Sequence, residues 1–243
     1  MTTANIYGRR ARIGYLCPPR MAEILPRDFY RIAPEGVTLV ISTLTVTALT
    51  KIELDQAYEL SMTVAREMVA AGVDVVFFGG MPINRARGQD NARGLDALEA
   101  ELGVKISSSA AAQEKAAKAL GCQKVVVAHP YDASQDARHS GDAQRYGCEV
   151  LGAKGFGAIM SQFGRIPREA ALDLGRALMR QHPQADSILY PSPHWPVIEA
   201  IEPLEREFGV SVMTALQAFV WDALRLAGVN DRIEGYGRLL REF

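Results

Sequence analysis

The sequence predicts a parallel α/β protein made of two similar lobes, and three observations lead to that prediction. Short apolar segments alternate along the chain with longer segments of helical periodicity, as expected for buried parallel strands linked by helices. The order of these segments repeats once, at a nearly constant offset. A chain of 243 residues, 48% of them hydrophobic, can also supply the core of one large domain or of two lobes.

Eight segments are predicted to be strands, because each is a short apolar or β-branched run beside turn-forming or charged residues. Helical patterns lie between them, and the longest, 54–72, ends on a glycine suited to closing a helix. The predicted strands are 12–17, 37–42, 74–79, 104–107, 124–129, 149–153, 187–191 and 210–213, of which 149–153 is the weakest.

The two halves of the chain resemble each other. RIGYLCP from Arg12 parallels KVVVAHP from Lys124, and DVVFFGG from Asp74 parallels DSILYPS from Asp186. Both pairs are separated by the same number of residues, which indicates an internal duplication rather than a chance likeness. The repeat therefore predicts two α/β lobes related by a pseudo-twofold axis.

A third pair of segments, 103–121 and 209–228, follows in the same order with a shorter connection. We place the first lobe at 1–120 together with 214–243, and the second lobe at 121–213. In open parallel sheets, ligands bind beyond the carboxyl ends of the strands. We therefore expect one cleft between the lobes, lined by the loops that follow the strands ending near residues 17, 79, 129 and 191.

Charge and motifs argue against several classes of function. The net charge is −1 and the sequence pI is about 6.4, whereas a nucleic-acid or membrane partner usually leaves a basic patch. No apolar run reaches the roughly 18 residues that cross a bilayer, and the first residues lack a secretory pattern. We expect a cytoplasmic protein. The sequence contains no phosphate loop or dinucleotide fingerprint, and its four histidines and three cysteines lack metal-ligand spacing, so neither a cofactor nor a metal is expected.

Five segments together resemble a known group of enzymes. They are IGYLCPP (13–19), AGVDVVFFGG (71–80), VVVAHPY (125–131), SILYPSPHWPVIEAIEPLEREFGV (187–210) and AFVWDALRLAG (218–228), the last being the most specific. The chain resembles the aspartate/glutamate racemase superfamily over nearly its whole length, and within it the arylmalonate decarboxylase and maleate isomerase branch. The resemblance implies a two-lobed α/β fold and chemistry that needs no cofactor.

The resemblance also implies where this sequence departs from its relatives. Racemases carry a cysteine at each of two equivalent positions, and arylmalonate decarboxylases keep only the second, with glycine at the first. Here Gly80 occupies the first position and Ser192 the second, so both cysteines are absent. The family has small hydroxyl residues after the first position, where this sequence has Met81 and Pro82. It has a glycine after the second position, where this sequence has Pro193. The binding tyrosine is kept as Tyr131.

These departures affect the chemistry. The family reaction passes through an enediolate, whose carboxylate is held by hydrogen-bond donors while a thiol moves the proton at the neighbouring carbon. A thiol suits this role because its pKa lies near 8.5, several units below that of a serine hydroxyl. Prolines at 82 and 193 also remove two backbone N–H donors. We therefore expect neither racemase nor decarboxylase chemistry to transfer unchanged.

Three residues are candidates for the catalytic role, and each has an alternative interpretation. Ser192 with an adjacent histidine could form a nucleophile–base pair, or its hydroxyl could stabilise a turn. His194 titrates near neutral pH and follows two residues later, but it could instead cap a helix beginning near Trp195. His129 ends a predicted strand, where it could serve catalysis or bond to the backbone.

Six further residues are candidates for substrate binding. Tyr131 could bind substrate or simply pack with its hydroxyl in water, and Gly80 is expected to leave space on one face. Arg20 could supply a bidentate carboxylate contact that replaces the lost donors, or it could be a solvated loop charge. The remaining candidates at the expected site are Met81, Pro18 and Pro193.

Three functions remain open at this point. The first is an altered enzyme of the decarboxylase or isomerase type, acting on a small carboxylate-bearing molecule as an isomerase, a lyase or a hydrolytic enzyme. The second is conventional decarboxylase or isomerase activity. The third is a protein that binds a small carboxylate without catalysis. The expected partner is therefore a small-molecule carboxylate, and the resemblance implies a homo-oligomer.

Overall fold

The computed structural model describes residues 7–47, 50–80, 83 and 92–243. Within them, eight strands form two four-stranded sheets, and every described pair of neighbouring strands is parallel. The first sheet has the order β2-β1-β3-β4 and the second has the order β6-β5-β7-β8. The strands are β1 (Ala11–Pro19), β2 (Val37–Val46), β3 (Val75–Phe78), β4 (Lys105–Ser108), β5 (Lys124–His129), β6 (Glu149–Gly155), β7 (Ser187–Tyr190) and β8 (Ser211–Thr214).

The helices alternate with these strands, which confirms the predicted parallel α/β class. The described helices are α1 (Ile24–Ile32), α2 (Lys51–Ala70), α3 (Ala92–Leu102), α4 (Ser109–Leu120), α5 (Asp136–Arg145), α6 (Ala170–Gln181), α7 (Ile201–Phe208), α8 (Ala215–Leu226) and α9 (Arg238–Glu242). The same strand order in both sheets reproduces the repeat seen in the sequence. None of these described helices combines the length and the apolar character needed to cross a bilayer.

The longest helix shows how local sequence selects these elements. The Thr50 side chain caps α2 by accepting a hydrogen bond from the backbone N–H of Glu53. Small and apolar side chains at helical spacing are buried on one face, among them Ala57, Ala65 and Met68. Gly72 follows the last turn with a φ of +77°, a left-handed conformation that glycine adopts without strain.

The first sheet extends further than the sequence predicts. The sequence predicts a loop directly after Cys17, but Pro18 and Pro19 belong to β1, and Pro19 pairs with Val46 after a register shift that begins at Cys17. Prolines are tolerated there because the irregular register does not require their missing N–H groups. The backbone N–H of Arg20 then donates to the Val46 carbonyl at 3.2 Å, so the strand end is held in place.

The chain divides into two compact units. Unit 1 consists of the described residues within Met1–Ala22, Phe29–Ala112 and Phe219–Asp231, and unit 2 consists of Glu23–Asp28, Gln113–Ala218 and Arg232–Phe243. The predicted lobe boundaries differ from this division, because the first predicted lobe also contains residues 23–28, 113–120, 214–218 and 232–243, which belong to unit 2.

Hydrogen bonds explain why the C-terminal segment lies in unit 2. The backbone N–H of Arg238 donates to the carboxylate of Glu205 on α7, and its guanidinium donates to Ser211 Oγ of β8 at 2.8 Å. Sequence reasoning missed this attachment because it depends on side chains that are far apart along the chain.

Each unit has its own apolar core. In unit 1, Tyr15, Phe77 and Phe219 pack with ring centroids 4.6–5.6 Å apart. In unit 2, the hydroxyl of the buried Tyr190 donates to the Ala171 carbonyl at 2.7 Å, and its ring lies 5.8 Å from that of Trp195. The second contact anchors the start of the loop that follows β7.

Candidate active site

The candidate site in unit 2 lies at the carboxyl ends of two adjacent strands. β5 ends at His129 and leads into Pro130 and Tyr131, whereas β7 ends at Tyr190 and leads into the loop 191–196. Since β5 and β7 are parallel neighbours, their ends meet at the same edge of the sheet. The structure thereby places Tyr131 beside His129, with ring centroids 6.0 Å apart, and beside Ser192. His194 follows Ser192 in the same loop.

Ser192 is almost completely buried, with 2% of its surface exposed. Its hydroxyl lies close enough to the Tyr131 hydroxyl to help lower the pKa of that tyrosine. Even so, Ser192 Oγ makes no hydrogen bond of full geometry among the residues that the structure describes. The alternative that Ser192 stabilises a turn is therefore not supported by a hydrogen bond from its hydroxyl. Proline on both sides limits the backbone donors near this group.

His194 is a neutral imidazole. Burial lowers the pKa of His194 to about 4, because the charged form loses its hydration. Its Nδ1 atom is buried and has no hydrogen-bond partner in the described part of the chain. The alternative that His194 caps a helix beginning near Trp195 is wrong, because the next helical turn starts at Ile198 and α7 starts at Ile201.

The structure does not join Ser192 and His194 as a nucleophile–base pair. Both Ser192 Oγ and His194 Nδ1 lack a hydrogen bond to any described residue. A serine nucleophile needs a base within hydrogen-bond reach, about 2.6–3.2 Å between heavy atoms. The two groups therefore serve as separate donors or acceptors at the strand edge.

His129 is fully buried and oriented by a carboxylate. Its Nε2 lies 2.9 Å from Oδ1 of Asp136, so its partner is a side chain rather than the backbone. Burial lowers the pKa of His129, and Asp136 opposes that effect. Its complete burial favours a positioning role, and the catalytic assignment of His129 stays a prediction.

Tyr131 is held in an aromatic cluster. Its ring lies 5.1 Å from that of Phe163, edge to face, and 5.4 Å from that of His139, stacked. Burial raises the pKa of Tyr131, while Arg138 and Ser192 oppose the rise. The hydroxyl stays protonated at neutral pH and is able to donate a hydrogen bond.

Close approach of two loops keeps this cluster compact. A Cβ on Gly155, at the end of β6, would overlap the Tyr131 carbonyl oxygen and would lie 2.8 Å from His129 Cε1. The backbone N–H of Phe156 donates to the His129 carbonyl at 2.8 Å, and that of Gly157 donates to the Tyr131 carbonyl at 2.9 Å. Only glycine at 155 permits this approach.

Sequence reasoning missed the charged residues at the start of α5. Asp136 orients His129, and Arg138 lies over the Tyr131 ring with its guanidinium carbon 5.3 Å from the ring centre. The segment DARHSGD (136–142) follows shortly after the candidate tyrosine. Its alternating charges beside a strand end were the signal that could have identified these residues.

The candidates in unit 1 have different surroundings. The backbone N–H of Gly80 donates to Ser109 Oγ at 3.2 Å, and its φ is +80°. A Cβ at this position would overlap Pro18 Cγ, so the space expected beside Gly80 is filled by Pro18. Arg20 is exposed and its side chain makes no ion pair with a described residue, as expected for a solvated charge. Met81 lies outside the described residues.

The cysteines do not supply an activated thiol. Burial raises the pKa of Cys17 to about 12 and that of Cys122 to about 11, and it also raises the pKa of Cys148. The thiolate is the reactive form of cysteine, and each of these shifts lowers its population. The loop after β7, which contains Pro193 and the partly exposed His194, carries the hydroxyl of Ser192 and no thiol.

Known structures share this fold. A double mutant of arylmalonate decarboxylase in its liganded form, with one glycine replaced by cysteine and one cysteine by serine, matches with a TM-score of 0.85 and 26% identity, over 96% of this chain and 100% of that chain. A cysteine-to-serine mutant of Nocardia farcinica maleate cis-trans isomerase with a covalently bound succinylcysteine intermediate matches with a TM-score of 0.83 and 20% identity, over 96% of this chain and 99% of that chain. The fold of this chain is therefore shared with a decarboxylase and with an isomerase.

Sequence comparison names the family. The family model described as arylmalonate decarboxylase matches residues 13–240. The curated arylmalonate decarboxylase of Bordetella bronchiseptica is 29% identical over 237 residues, covering 95% of this chain and 96% of the relative. The chain belongs to the arylmalonate decarboxylase family, which confirms the resemblance drawn from its sequence segments.

Proposed function

We propose that this chain is a cofactor-independent isomerase or lyase that acts on a small carboxylate-bearing molecule without a catalytic cysteine. One observation carries the proposal: the buried Ser192 Oγ has no hydrogen-bond partner among the described residues, although Ser192 is near enough to the Tyr131 hydroxyl to lower its pKa. A buried polar atom without a partner costs about 1–3 kcal/mol. A bound carboxylate that accepts from both hydroxyls would remove that cost.

The same two hydroxyls can stabilise the reaction intermediate. When a proton or carbon dioxide leaves the carbon beside a carboxylate, negative charge accumulates on the carboxylate oxygens as an enediolate. Hydrogen-bond donors fixed in advance at those oxygens lower the barrier because they need no reorganisation during the reaction. Tyr131 is the better-positioned donor, since the cluster around its ring restricts its movement.

His194 is the proposed proton-transfer group. Its imidazole is neutral, and Nδ1 is available to accept or deliver a proton at the reacting carbon. A pKa of about 4 makes it a weak base when no ligand is bound. An anionic substrate beside it would raise that pKa toward neutrality, because an opposite charge favours the imidazolium form. The carboxylate of the substrate thus raises the pKa of His194, the base that acts on that substrate.

Non-catalytic binding of a small carboxylate is the second candidate. The raised pKa values of all three thiols favour it, since the family resemblance assigns proton transfer to a thiol. Both candidates predict binding, and only the first predicts turnover. The homo-oligomer and the cytoplasmic location expected from the sequence stay predictions.

A ligand screen combined with one variant separates the candidates. Small mono- and dicarboxylates, malonates and maleate are screened by thermal shift, and each hit is incubated in deuterated water and followed by NMR. A ligand at a hundredfold excess over its Kd adds about 2.7 kcal/mol to stability, which is readily measured. Ser192→Ala should retain binding within about tenfold and lose most turnover.

Ser161→Ala serves as the matched control, because Ser161 is an exposed serine of unit 2. It should behave as the wild type in both measurements. Hits that stabilise the chain yet never exchange deuterium or change structure would favour the binding protein. Turnover that survives both Ser192→Ala and His194→Ala would overturn the proposed mechanism.

A further inference from the structure

Arg138 is a half-buried cation without a carboxylate partner among the described residues. Its Nη2 donates to Nε2 of His139 at 3.1 Å, and its guanidinium carbon lies 5.3 Å from the centre of the Tyr131 ring. Its Nε is buried and makes no hydrogen bond within the described chain. A guanidinium that has lost water without gaining a counter-charge carries an uncompensated desolvation cost. An anionic ligand is the group that would offset it.

The neighbouring groups are already engaged elsewhere. Because a guanidinium only donates, Nε2 of His139 is the acceptor of this bond. Asp142 Oδ2 lies 4.0 Å from Nδ1 of His139, and Asp136 accepts from His129. The carboxylates near Arg138 thus face histidines, and no described carboxylate forms an ion pair with its guanidinium.

The cation is directed toward the candidate site. The guanidinium carbon of Arg138 lies 5.3 Å from the centre of the Tyr131 ring, and both Arg138 and Ser192 are near enough to the Tyr131 hydroxyl to lower its pKa. Two hydroxyls and one guanidinium therefore converge at the edge of β5 and β7. A guanidinium can bind both oxygens of a carboxylate through parallel N–H bonds, which adds geometric selectivity to charge attraction.

Resting on the proposed function, we infer that Arg138 binds a carboxylate of the substrate, in a subsite completed by the hydroxyls of Tyr131 and Ser192. The family resemblance places small neutral donors after the first position, and this sequence has Met81 and Pro82 there instead. The subsite requires an ionised carboxylate. Neutral amides and esters of the same shape leave the guanidinium unpaired and are rejected.

Arg138→Gln tests this assignment by removing the charge while keeping hydrogen-bonding capacity. The probes are phenylacetate, maleate and the uncharged phenylacetamide, with Kd values measured by ligand-observed NMR. The wild type should bind phenylacetate or maleate more tightly than phenylacetamide, and Arg138→Gln should weaken binding of the acid by about tenfold or more. Its affinity for the amide should be unchanged within about twofold, as expected when the lost contact involves the carboxylate alone.

Arg145→Gln is the matched control, since Arg145 is an exposed arginine in the last turn of the same helix. It loses the same charge and should keep the affinity of the wild type for every probe. Arg138→Lys keeps the charge without the bidentate geometry and should give an intermediate affinity. If Arg138→Gln does not fold, Arg138→Lys takes its place as the variant whose affinity is compared with that of the wild type.

A second measurement needs no variant. Phenylglyoxal modifies accessible arginines, and the bound acid should slow modification of Arg138 but not of Arg145, as read by peptide mass spectrometry. The assignment of Arg138 is wrong if the acid binds to the wild type, if Arg138→Gln has the same affinity as the control, and if the acid does not protect Arg138 from modification. The proposed function would still stand in that case. If neither phenylacetate nor maleate binds the wild type, the inference fails together with the proposed function.

Discussion

Gly80 and Ser192 are equivalent in the repeat, yet their surroundings differ. At Gly80, the φ of +80° and the Pro18 ring, which occupies the place of a Cβ, exclude any side chain without local movement. At Ser192, a side chain is already present beside the Tyr131 hydroxyl. A cysteine is therefore compatible with the second position and not with the first. A cysteine at position 192 alone would give this chain the single-cysteine pattern that the resemblance assigns to decarboxylases.

Ser192→Cys should consequently gain decarboxylase activity. The thiol pKa lies several units below that of the serine hydroxyl, so phenylmalonate decarboxylation should rise by at least about tenfold over the wild type. Formation of phenylacetate followed by NMR provides the measurement. Ser161→Cys adds an exposed thiol as the control, and equal rates in the two variants would contradict the equivalence drawn from the repeat.

His194 should make the stability of the protein depend on pH. Its pKa falls from 6.5 to about 4 on burial, so the unfolded chain binds the proton more readily than the folded chain. The stability that the neutral imidazole provides is complete above pH 6.5 and is lost as the pH falls toward 4. The expected loss is on the order of 2 kcal/mol, since this side chain is not fully enclosed.

Urea unfolding across that pH range measures this effect. His194→Gln should flatten the difference between the upper and lower ends of the range, whereas His182→Gln, at the C-terminal cap of α6, should not. Identical pH profiles for the wild type and His194→Gln would show that the imidazole is not desolvated.

At the scale of elements, α5 and the end of β6 both approach the end of β5 and contribute to the candidate site. The sequence predicts both strands, but it does not show that α5 turns its first residues back toward Tyr131. That geometry depends on the glycine at 155, which lets the loop after β5 lie against β6. The helix supplies the charges, and the glycine permits the contact that places them.

Gly155→Ala should disrupt this arrangement. Its Cβ would meet the Tyr131 carbonyl oxygen, a backbone atom that can move only with its loop. The free energy of unfolding should fall by about 1–3 kcal/mol, and carboxylate binding should weaken. Chemical denaturation and the ligand screen measure the two effects.

Gly141→Ala is the control, because Gly141 lies in α5 and a methyl group added there would meet no described atom within 4 Å. Alanine favours the helix at this position, so the variant should be neutral or slightly more stable. Equal stability of the two alanine variants would mean that the loop after β5 accommodates a side chain freely.

At the scale of the whole molecule, the three cysteines are distributed as buried or half-buried apolar residues rather than as a reactive site. Burial raises the pKa of each thiol. In the native protein they should react with a thiol reagent at neutral pH at least about tenfold more slowly than after denaturation. Titration with Ellman's reagent, with and without guanidinium chloride, is the measurement, and one fast native thiol would reveal a nucleophile that the proposed function does not include.

The sequence by itself determined the parallel α/β class, the approximate position of every described strand, the repeated strand order and the family. These properties follow from local apolar periodicity and from segments that keep their spacing along the chain. Only the tertiary structure decided which side chains meet. The sequence left Arg20 open between a carboxylate ligand and a solvated charge, and its side chain is exposed. Arg138 lies over Tyr131 because α5 packs its first turn against the end of β5. Burial and side-chain direction depend on contacts between distant segments, and the order of residues alone does not specify them.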